Sequence, residues 1–262
     1  MARNLNPFFV ANLVISTILV LFILIPLVSL FLYTNPDTLR ELFTGYTASE
    51  VLNAFETTFK ASLLSTLLLL AFGLPLAYTL ARHSFPGKKV LESIIDIPFV
   101  LPHTVAGVAI LTGFGSRSIF GEPLERIGLV VQDSFWGIVA AMMFVSAPVL
   151  IDSAKVAFQS IDPELEEVAR CLGASPVRVF ATITLPLALR GIVAGTILAW
   201  ARALSEVGAI LVVAYYPKTI NVLVLEYLNV YGLSYAIALS TILTLVSIAL
   251  FTALRMVLGG GS

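Results

Sequence analysis

Arg202 and Glu206 are two ionisable residues within a long apolar stretch of the chain. Their spacing of four residues lets the side chains pair on one face of a helix. An arginine beside a translocation path lowers the barrier for an anion, and a carboxylate that pairs with it keeps the anion from being trapped. Ser205 would add a hydroxyl contact. The alternative is a purely structural ion pair that holds this helix against a neighbour.

Pro102, His103 and Thr104 form a second group of candidate path residues. Pro98 and Pro102 are four residues apart, a spacing that predicts a broken or kinked helix. A half-helix that begins after the break would present backbone N–H groups to an oxyanion, and the Thr104 hydroxyl would assist. His103 could instead only satisfy the carbonyl that Pro102 leaves free. The candidate path residues are therefore Pro102, His103, Thr104, Arg202, Ser205 and Glu206.

The sequence contains no pattern of catalytic chemistry. It has no nucleophile beside a base, no metal-ligand cluster and no G-x-x-x-x-G-K-[ST] loop, so it is not predicted to be an enzyme or to hydrolyse ATP alone. Cys171 is the only cysteine, which excludes an internal disulfide. No basic cluster with interleaved aromatic residues occurs, so no nucleic-acid partner is expected.

Residues 162–190 form a long polar segment inside this apolar chain. Asp162, followed by a proline, is a helix start signal. Gly173 is expected to end this helix with a positive φ. Ser175 and the proline after it begin a second helix, predicted to run as far as Pro186. A surface helix pair of this kind between two apolar spans is suited to dock a partner from the aqueous side, and the alternative is an ordinary interfacial helix.

The composition indicates that the candidate path residues and the polar segment are positioned by membrane-spanning helices. Hydrophobic residues make up 58% of the chain and charged residues 12%, whereas soluble domains contain about 25% charged residues. Apolar runs of about 20 residues, the length that crosses a bilayer core, recur along the chain. We predict one membrane domain over residues 1–258, followed by a linker at 259–262. The six predicted spans are about 7–33, 55–80, 94–114, 135–158, 192–214 and 233–258.

The distribution of lysine and arginine predicts the orientation of these spans, because positive residues accumulate on the cytoplasmic side. With six spans, the side that carries both termini holds nine of them: Arg3, Arg82, Lys88, Lys89, Lys155, Arg170, Arg178, Arg190 and Arg255. The opposite side holds four: Arg40, Arg117, Arg126 and Lys218. We therefore expect a multi-pass protein of the cell membrane with both termini and the polar segment in the cytoplasm.

The polar segment also carries a specific spacing: Glu167-Val168-Ala169, three residues, Gly173, nine residues, and then Ile183, Leu185 and Pro186. It resembles the cytoplasmic loop of ABC importer permeases, which reads E-A-A, three residues, Gly, nine residues, I-x-L-P; Val168 replaces the first alanine. In that family the first loop helix lies in a groove of the ATPase subunit and carries its closure to the membrane. The resemblance implies an ATPase-coupling role for Glu164, Glu167, Val168, Ala169, Gly173, Ile183, Leu185 and Pro186.

Two further stretches, Ile95–Leu111 and Trp200–Pro217, resemble the permease subunits of molybdate/tungstate ABC importers and share patterns with the related sulfate permeases. This resemblance implies an all-α membrane protein of the type I ABC importer fold, with six transmembrane helices and a cytoplasmic two-helix coupling loop between helices 4 and 5. It also implies a homodimer, an external oxyanion-binding protein, surrounding membrane lipid and two cytoplasmic ATPase subunits. ATP and Mg²⁺ would be bound by the ATPases, and no cofactor is expected in this chain.

Two other functions remain open at this point. One is a sulfate/thiosulfate ABC permease, because the external binding protein selects much of the substrate in this family. The other is an ion-driven secondary anion transporter or channel. The docking pattern distinguishes the second alternative, since a secondary transporter has no ATPase to dock.

Overall fold

The computed structural model describes the backbone of residues 7–259 and the side chains of residues 8–44 and 47–252. Over these residues the chain is helical, and it contains no strand. The helices, in chain order, are α1 (Pro7–Tyr33), α2 (Pro36–Glu41), α3 (Gly45–Arg82), α4 (Lys88–Val100), α5 (His103–Phe114), α6 (Gly121–Arg126), α7 (Phe135–Gln159), α8 (Pro163–Cys171), α9 (Pro176–Val179), a π-helical turn (Phe180–Thr184), α10 (Leu185–Leu204), α11 (Gly208–Val213), α12 (Ile220–Val230) and α13 (Leu233–Gly259).

Among the described residues, five helices are long and apolar enough to cross a membrane: Phe8–Tyr33, Thr47–Arg82, Phe135–Gln159, Pro176–Leu204 and Leu233–Thr252. The first, second, fourth and sixth predicted spans lie in α1, α3, α7 and α13. Helices α5 and α12 are apolar but shorter. The third predicted span is interrupted after Val100, and the fifth is interrupted after Leu204.

The third predicted span is broken at Leu101-Pro102, as the two prolines predict. Both residues have extended backbone angles, with ψ of 135° at Leu101 and 136° at Pro102. A residue before proline is excluded from the α region by contact with the proline ring, so α4 ends at Val100. A new helix, α5, then begins at His103.

The prediction of a continuous fifth span over residues 192–214 is wrong. The apolar helix starts much earlier, at Pro176, and ends at Leu204. The second loop helix therefore does not stop at Pro186 and is instead the first part of this long helix. Proline lacks an N–H and crowds the carbonyl of the preceding turn. A π-helical turn lies just before Pro186, and in it the Leu185 N–H bonds to the Phe180 carbonyl. This wider turn accompanies the proline, and the helix continues past it.

The chain divides into two compact units. Of the residues described, the larger unit comprises 52–223 and 252–259, and its core centres on α7, where Ile138, Met142, Val145 and Leu150 are buried. The smaller unit comprises 7–51 and 224–251. Its helix α1 exposes apolar side chains all around, as expected of a helix that faces lipid. The predicted linker at 259–262 lies outside the described residues except for the backbone of Gly259, and the single domain over 1–258 stays a prediction.

Candidate functional site

The break in the third predicted span lies against the break in the fifth. A Cβ atom on Gly208, at the start of α11, would come within 2.5 Å of the His103 Cβ at the start of α5. One on Gly107 would come within 2.8 Å of the Ala209 carbonyl oxygen. Glycine at these two positions lets the backbones of α5 and α11 approach closely. The approach brings His103 next to the segment that carries Glu206.

Glu206 is the centre of the resulting ionic cluster, which we define as His103, Arg202 and Glu206. Its surface is 1% exposed. Its Oε2 atom lies 3.0 Å from Arg202 Nη1 and 2.8 Å from His103 Nδ1. Its Oε1 atom accepts a 2.8 Å hydrogen bond from the Ala209 backbone N–H. A buried carboxylate is costly unless its oxygens are paired, and here both oxygens are paired.

The two cationic or potentially cationic members of the cluster face an open pocket. The Arg202 side chain is 25% exposed and the His103 side chain 52%. Arg202 Nη2 lies 3.1 Å from His103 Nδ1. The pocket has a volume of about 370 Å³, and its lining residues are His103, Arg202, Ser205, Glu206, Val207 and Gly208. An anion in this pocket would meet the guanidinium and the imidazole, while the carboxylate behind them is turned inward.

Arg202 and Glu206 pair, although not on one continuous helix as the spacing predicts. Helix α10 ends at Leu204, so Glu206 lies in the link between α10 and α11. Ser205, the residue after the helix, is exposed, and its hydroxyl donates to the Arg202 carbonyl at 3.0 Å. The ion pair therefore spans a helix end, where backbone angles differ from those of a regular helix.

Pro102 and Thr104 flank His103 at the start of α5, and both are exposed. The first hydrogen bond of this half-helix runs from the Ala106 N–H to the Pro102 carbonyl at 3.0 Å. A half-helix N-terminus is therefore present, although Pro102 and Thr104 lie outside the pocket lining. Their role on the path stays a prediction.

Asn221 is a positioning residue that sequence reasoning missed. Its amide nitrogen donates to the Leu204 carbonyl at 2.7 Å and to the Glu206 carbonyl at 3.2 Å. The first of these carbonyls belongs to the end of α10, where helical partners are lacking. A side-chain amide at the start of the apolar helix α12 was the available signal. The contact fixes the link that presents Glu206.

The predicted start and end of the first loop helix are confirmed in α8. The Asp162 side chain accepts from the Glu164 N–H at 3.0 Å, as an N-cap does. Gly173 has a φ of +87°. Its N–H bonds to the Arg170 carbonyl at 2.9 Å, and the Ala174 N–H bonds to the Ala169 carbonyl at 3.1 Å. This is the Schellman arrangement, which favours glycine because of the positive φ.

One face of α8 is turned outward and is both apolar and acidic. A shallow pocket of about 390 Å³ lies along it, lined by Glu164, Glu167, Val168, Cys171 and Leu172. Leu172 is 84% exposed and Val168 59%. We call these five residues the α8 outer face. Exposed apolar side chains beside acidic groups are typical of a surface that docks a basic, partly apolar groove.

The remaining residues of the loop pattern lie elsewhere. Ala169 is half-buried behind the α8 outer face. Ile183 belongs to the π-helical turn, and Leu185 and Pro186 begin α10. These three residues therefore form the base of a membrane helix rather than the end of a second loop helix. Their coupling role stays a prediction.

Glu166, which was not among the predicted site residues, is buried on the inner side of α8. Its carboxylate pairs with Arg82, the last residue of α3, at 2.9 Å. The Thr184 hydroxyl of the π-helical turn donates to the same oxygen at 2.9 Å. A lone arginine at the end of an apolar span was the signal that could have indicated this pairing. No group of three or more His, Cys, Asp or Glu side chains in the described part of the chain is arranged to hold a metal ion.

The fold and these two regions define a class. The chain is a multi-pass membrane protein whose long apolar helices carry an ionic cluster at an open pocket and a separate polar docking surface. It is a transport permease. More specifically, it belongs to the family described as "Binding-protein-dependent transport system inner membrane component", which matches residues 70–259.

Relatives of known class cover nearly the whole chain. The molybdate/tungstate transport system permease protein WtpB of Pyrococcus abyssi is 42% identical, over 94% of this chain and 93% of the relative. The protein of the same name from Methanocaldococcus jannaschii is 41% identical, over 96% and 97%. A probable sulfate transport system permease protein, cysT of Zygnema circumcarinatum, is 32% identical, over 88% and 82%.

Solved structures agree on the fold. A chain of a bacterial ABC transporter that imports the acidic polysaccharide alginate superposes with a TM-score of 0.73 at 20% identity, covering 97% of this chain and 96% of that one. A chain of the MetNI methionine ABC transporter has a TM-score of 0.65 at 15% identity, covering 84% and 99%. The predicted all-α fold of type I ABC importer permeases is confirmed. The number of six spans stays a prediction, because the third is split.

Proposed function

We propose that this chain is the permease subunit of an ATP-driven importer for a tetrahedral oxyanion, molybdate or tungstate. The observation that carries the substrate class is the 42% identity to molybdate/tungstate permeases over 94% of the chain. In this proposal an external binding protein delivers the oxyanion to the permease. The chain itself needs no cofactor, because the partner ATPases bind ATP and Mg²⁺.

The ionic cluster supplies the chemistry of anion passage. A divalent oxyanion in a region of low dielectric needs a positive partner, since an unpaired charge there is expensive. Arg202 presents such a charge at an open pocket. Glu206 accepts from Arg202 and from His103 on its inner side, which weakens their attraction for the substrate. The pocket would therefore bind an oxyanion weakly enough to release it.

The α8 outer face supplies the coupling surface. Its acidic and apolar side chains are complementary to a groove with basic and apolar residues on an ATPase subunit. The Asp162 cap and the Gly173 turn stabilise α8 at both ends, so the surface is presented as a formed helix. A preorganised helix loses less conformational entropy on docking than a disordered loop would.

The number of docking surfaces supports a homodimer. One chain offers one α8 outer face, whereas an ATPase dimer offers two grooves, and a two-fold axis supplies both contacts with one operation. Mass measurement of the detergent-solubilised complex should find two copies of this chain for each ATPase pair. Lysine and arginine are in excess on the predicted membrane side that carries both termini, which supports an orientation with the termini and α8 in the cytoplasm.

A sulfate/thiosulfate permease is the second candidate, and the 32% identity to a probable sulfate permease favours it. An ion-driven secondary transporter is disfavoured by the α8 outer face, which would have no partner in such a protein. The test is uptake of labelled molybdate, tungstate and sulfate into proteoliposomes that contain the chain, its ATPase and its binding protein. Molybdate or tungstate uptake that requires ATP is the expected result. Preferential sulfate uptake would select the second candidate, and ATP-independent uptake would refute the ATPase-driven mechanism.

A further inference from the structure

Glu166 is buried although the helix that carries it is otherwise exposed. It is the only described residue of α8 that is fully enclosed. The apolar residues of the same helix point outward: Leu165 is 48% exposed and Val168 59%. A short helix that buries a carboxylate and exposes its apolar side chains reverses the usual arrangement. The outward face is explained by docking, whereas the inward carboxylate needs a separate explanation.

The Glu166 carboxylate is bonded to two membrane helices at once. Arg82, at the end of α3, donates from Nε to Oε1 at 2.9 Å and places Nη2 2.9 Å from the same oxygen. Thr184, at the end of the π-helical turn that leads into α10, donates its hydroxyl to Oε1 at 2.9 Å. Tyr78, one turn before Arg82 on α3, approaches Oε2 at 3.4 Å. We call Glu166, Arg82, Thr184 and Tyr78 the α8 joint.

The α8 joint is enclosed, which makes its geometry stiff. The side chains of Arg82 and Glu166 are 9% and 5% exposed. The Tyr78 ring packs edge-on against Phe158 at 5.4 Å and Phe180 at 5.0 Å between ring centroids. In such an apolar surround the ion pair is little screened by water or salt, and loss of one partner leaves an uncompensated charge. The helix cannot therefore move far without α3 and the base of α10 following it.

The backbone connections at the two ends of α8 would not by themselves make the helix move together with α3 and α10. Arg82 Nη2 also donates to the Ile161 carbonyl, just before α8, at 3.2 Å, so the N-terminal approach to the helix is tied to α3 as well. The C-terminal exit passes through Gly173, whose positive φ forms a turn rather than a continuous helix. The side-chain contacts of Glu166 thus bypass that turn and link the middle of α8 directly to Thr184.

We propose that Glu166 is the positioning residue through which movement of α8 is transmitted to α3 and α10. This inference rests on the proposed function, since it assumes an ATPase docked on the α8 outer face. Glu166 does not contact the substrate pocket, and its role is to make α8 and the ends of two membrane helices move as one body. Its loss should uncouple ATP hydrolysis from transport rather than abolish either partner's binding.

The test is Glu166→Gln in the complete transporter, reconstituted with its ATPase and its molybdate-loaded binding protein. Glutamine keeps the shape and an acceptor oxygen but removes the charge that Arg82 pairs with. We expect assembly and ATP hydrolysis to persist while the number of ATP molecules hydrolysed per imported molybdate rises at least several-fold. Glu56→Gln is the matched control, because Glu56 pairs with Lys60 on an exposed face of α3 and should leave this ratio unchanged.

A second variant keeps the inference testable if Glu166→Gln fails to assemble. Thr184→Val removes only the hydroxyl hydrogen bond from the π-helical turn that leads into α10 and leaves the Arg82–Glu166 pair intact. An increased ATP-to-substrate ratio in an assembled Thr184→Val complex supports transmission through the joint. An unchanged ratio in either assembled variant overturns it, and so does failure of both variants to assemble, which would make the joint purely structural. Absence of oxyanion uptake by the unmodified complex refutes the proposed function instead, so the two failures are distinguishable.

Discussion

Two buried glutamates, Glu206 and Glu166, use the same pairing for different ends. Each carboxylate is almost fully enclosed and each accepts hydrogen bonds from an arginine. The Arg202 side chain is 25% exposed at an open pocket, whereas the Arg82 side chain is 9% exposed and also donates to a backbone carbonyl. A guanidinium has five N–H donors, so an arginine paired with a glutamate keeps further donors. The direction of those further donors distinguishes Arg202 from Arg82.

The difference teaches that burial of the acid does not decide the role of an ion pair. In the ionic cluster Glu206 is buried and Arg202 is partly exposed, so a positive charge is presented to an anion in the pocket. In the α8 joint both partners are enclosed, so the pair presents no charge to a ligand, and in our proposal it transmits position. The residue types are the same at both places, and the surroundings of the arginine separate the two roles.

The largest effect is expected from Arg202→Met, which removes the charge at the pocket. Uptake should fall by about 10- to 100-fold, since a charge-assisted hydrogen bond contributes about 1.5–3 kcal/mol, while assembly and ATP hydrolysis persist. Arg126→Met is the control, because Arg126 pairs with Glu122 at the same spacing on an exposed surface, where such pairs contribute little. Labelled molybdate uptake and ATPase activity are the measurements.

The double variant Arg202→Met with Glu206→Gln tests whether the pair acts only structurally. Removing Arg202 alone strands a buried carboxylate, and neutralising Glu206 relieves that cost. Recovered thermal stability with uptake still as low as in Arg202→Met supports a path role for Arg202. Recovery of both thermal stability and uptake would show that Arg202 and Glu206 form only a structural pair. The contrast with the α8 joint would then no longer hold.

Gly173→Val addresses the docking side of the comparison. Valine at a φ of +87° costs about 1–3 kcal/mol of backbone strain, and the Schellman turn should distort. Membrane insertion should be normal while ATPase association and uptake fall. Gly128→Val is a matched control, because Gly128 has a φ of +85° with open space around it but lies away from α8. Equal loss of association in both variants would show a general stability effect rather than a docking effect.

Asn221→Ala should have a moderate effect on the ionic cluster alone. It removes the donors to the Leu204 and Glu206 carbonyls, and two neutral hydrogen bonds contribute about 1–3 kcal/mol together. Thermal unfolding should shift to lower temperature and uptake should decrease. The number of ATP molecules hydrolysed per imported molybdate, which reports on the α8 joint, should stay unchanged. Asn229→Ala is the control, because its amide bonds within one exposed helix turn. A variant with unchanged stability and uptake would show that Asn221 does not position Glu206.

The smallest effect is expected from Ser205→Ala. Its hydroxyl donates to the Arg202 carbonyl at 3.0 Å and lines the pocket. Loss of about 0.5 kcal/mol corresponds to a two- to threefold change in uptake at low substrate. Ser93→Ala, with a similar intrahelical bond far from the pocket, should change nothing. A loss as large as that of Arg202→Met would assign substrate contact to the hydroxyl instead.

The local features of the fold were accessible from the sequence. The apolar runs predict α1, α3, α7 and α13, the paired prolines predict the break before His103, and Asp162 and Gly173 predict both ends of α8. Each of these depends on a few adjacent residues: hydrophobic length, a missing N–H, a capping side chain or a positive φ. The resemblance of the loop pattern likewise named three of the five residues of the α8 outer face, Glu164, Glu167 and Val168, but not Cys171 or Leu172.

Long-range placement was decided only by the tertiary structure. The sequence indicates that Arg202 and Glu206 can pair, but it shows neither the helix end between them nor the close packing of α11 against α5 that brings His103 to the pair. Similarly, Glu166 and Glu167 are adjacent acids on one short helix, and only the fold turns one inward to Arg82 and the other outward. The reason is physical: covalent neighbours determine backbone propensity, whereas burial and ion pairing depend on residues 84 and 99 positions away.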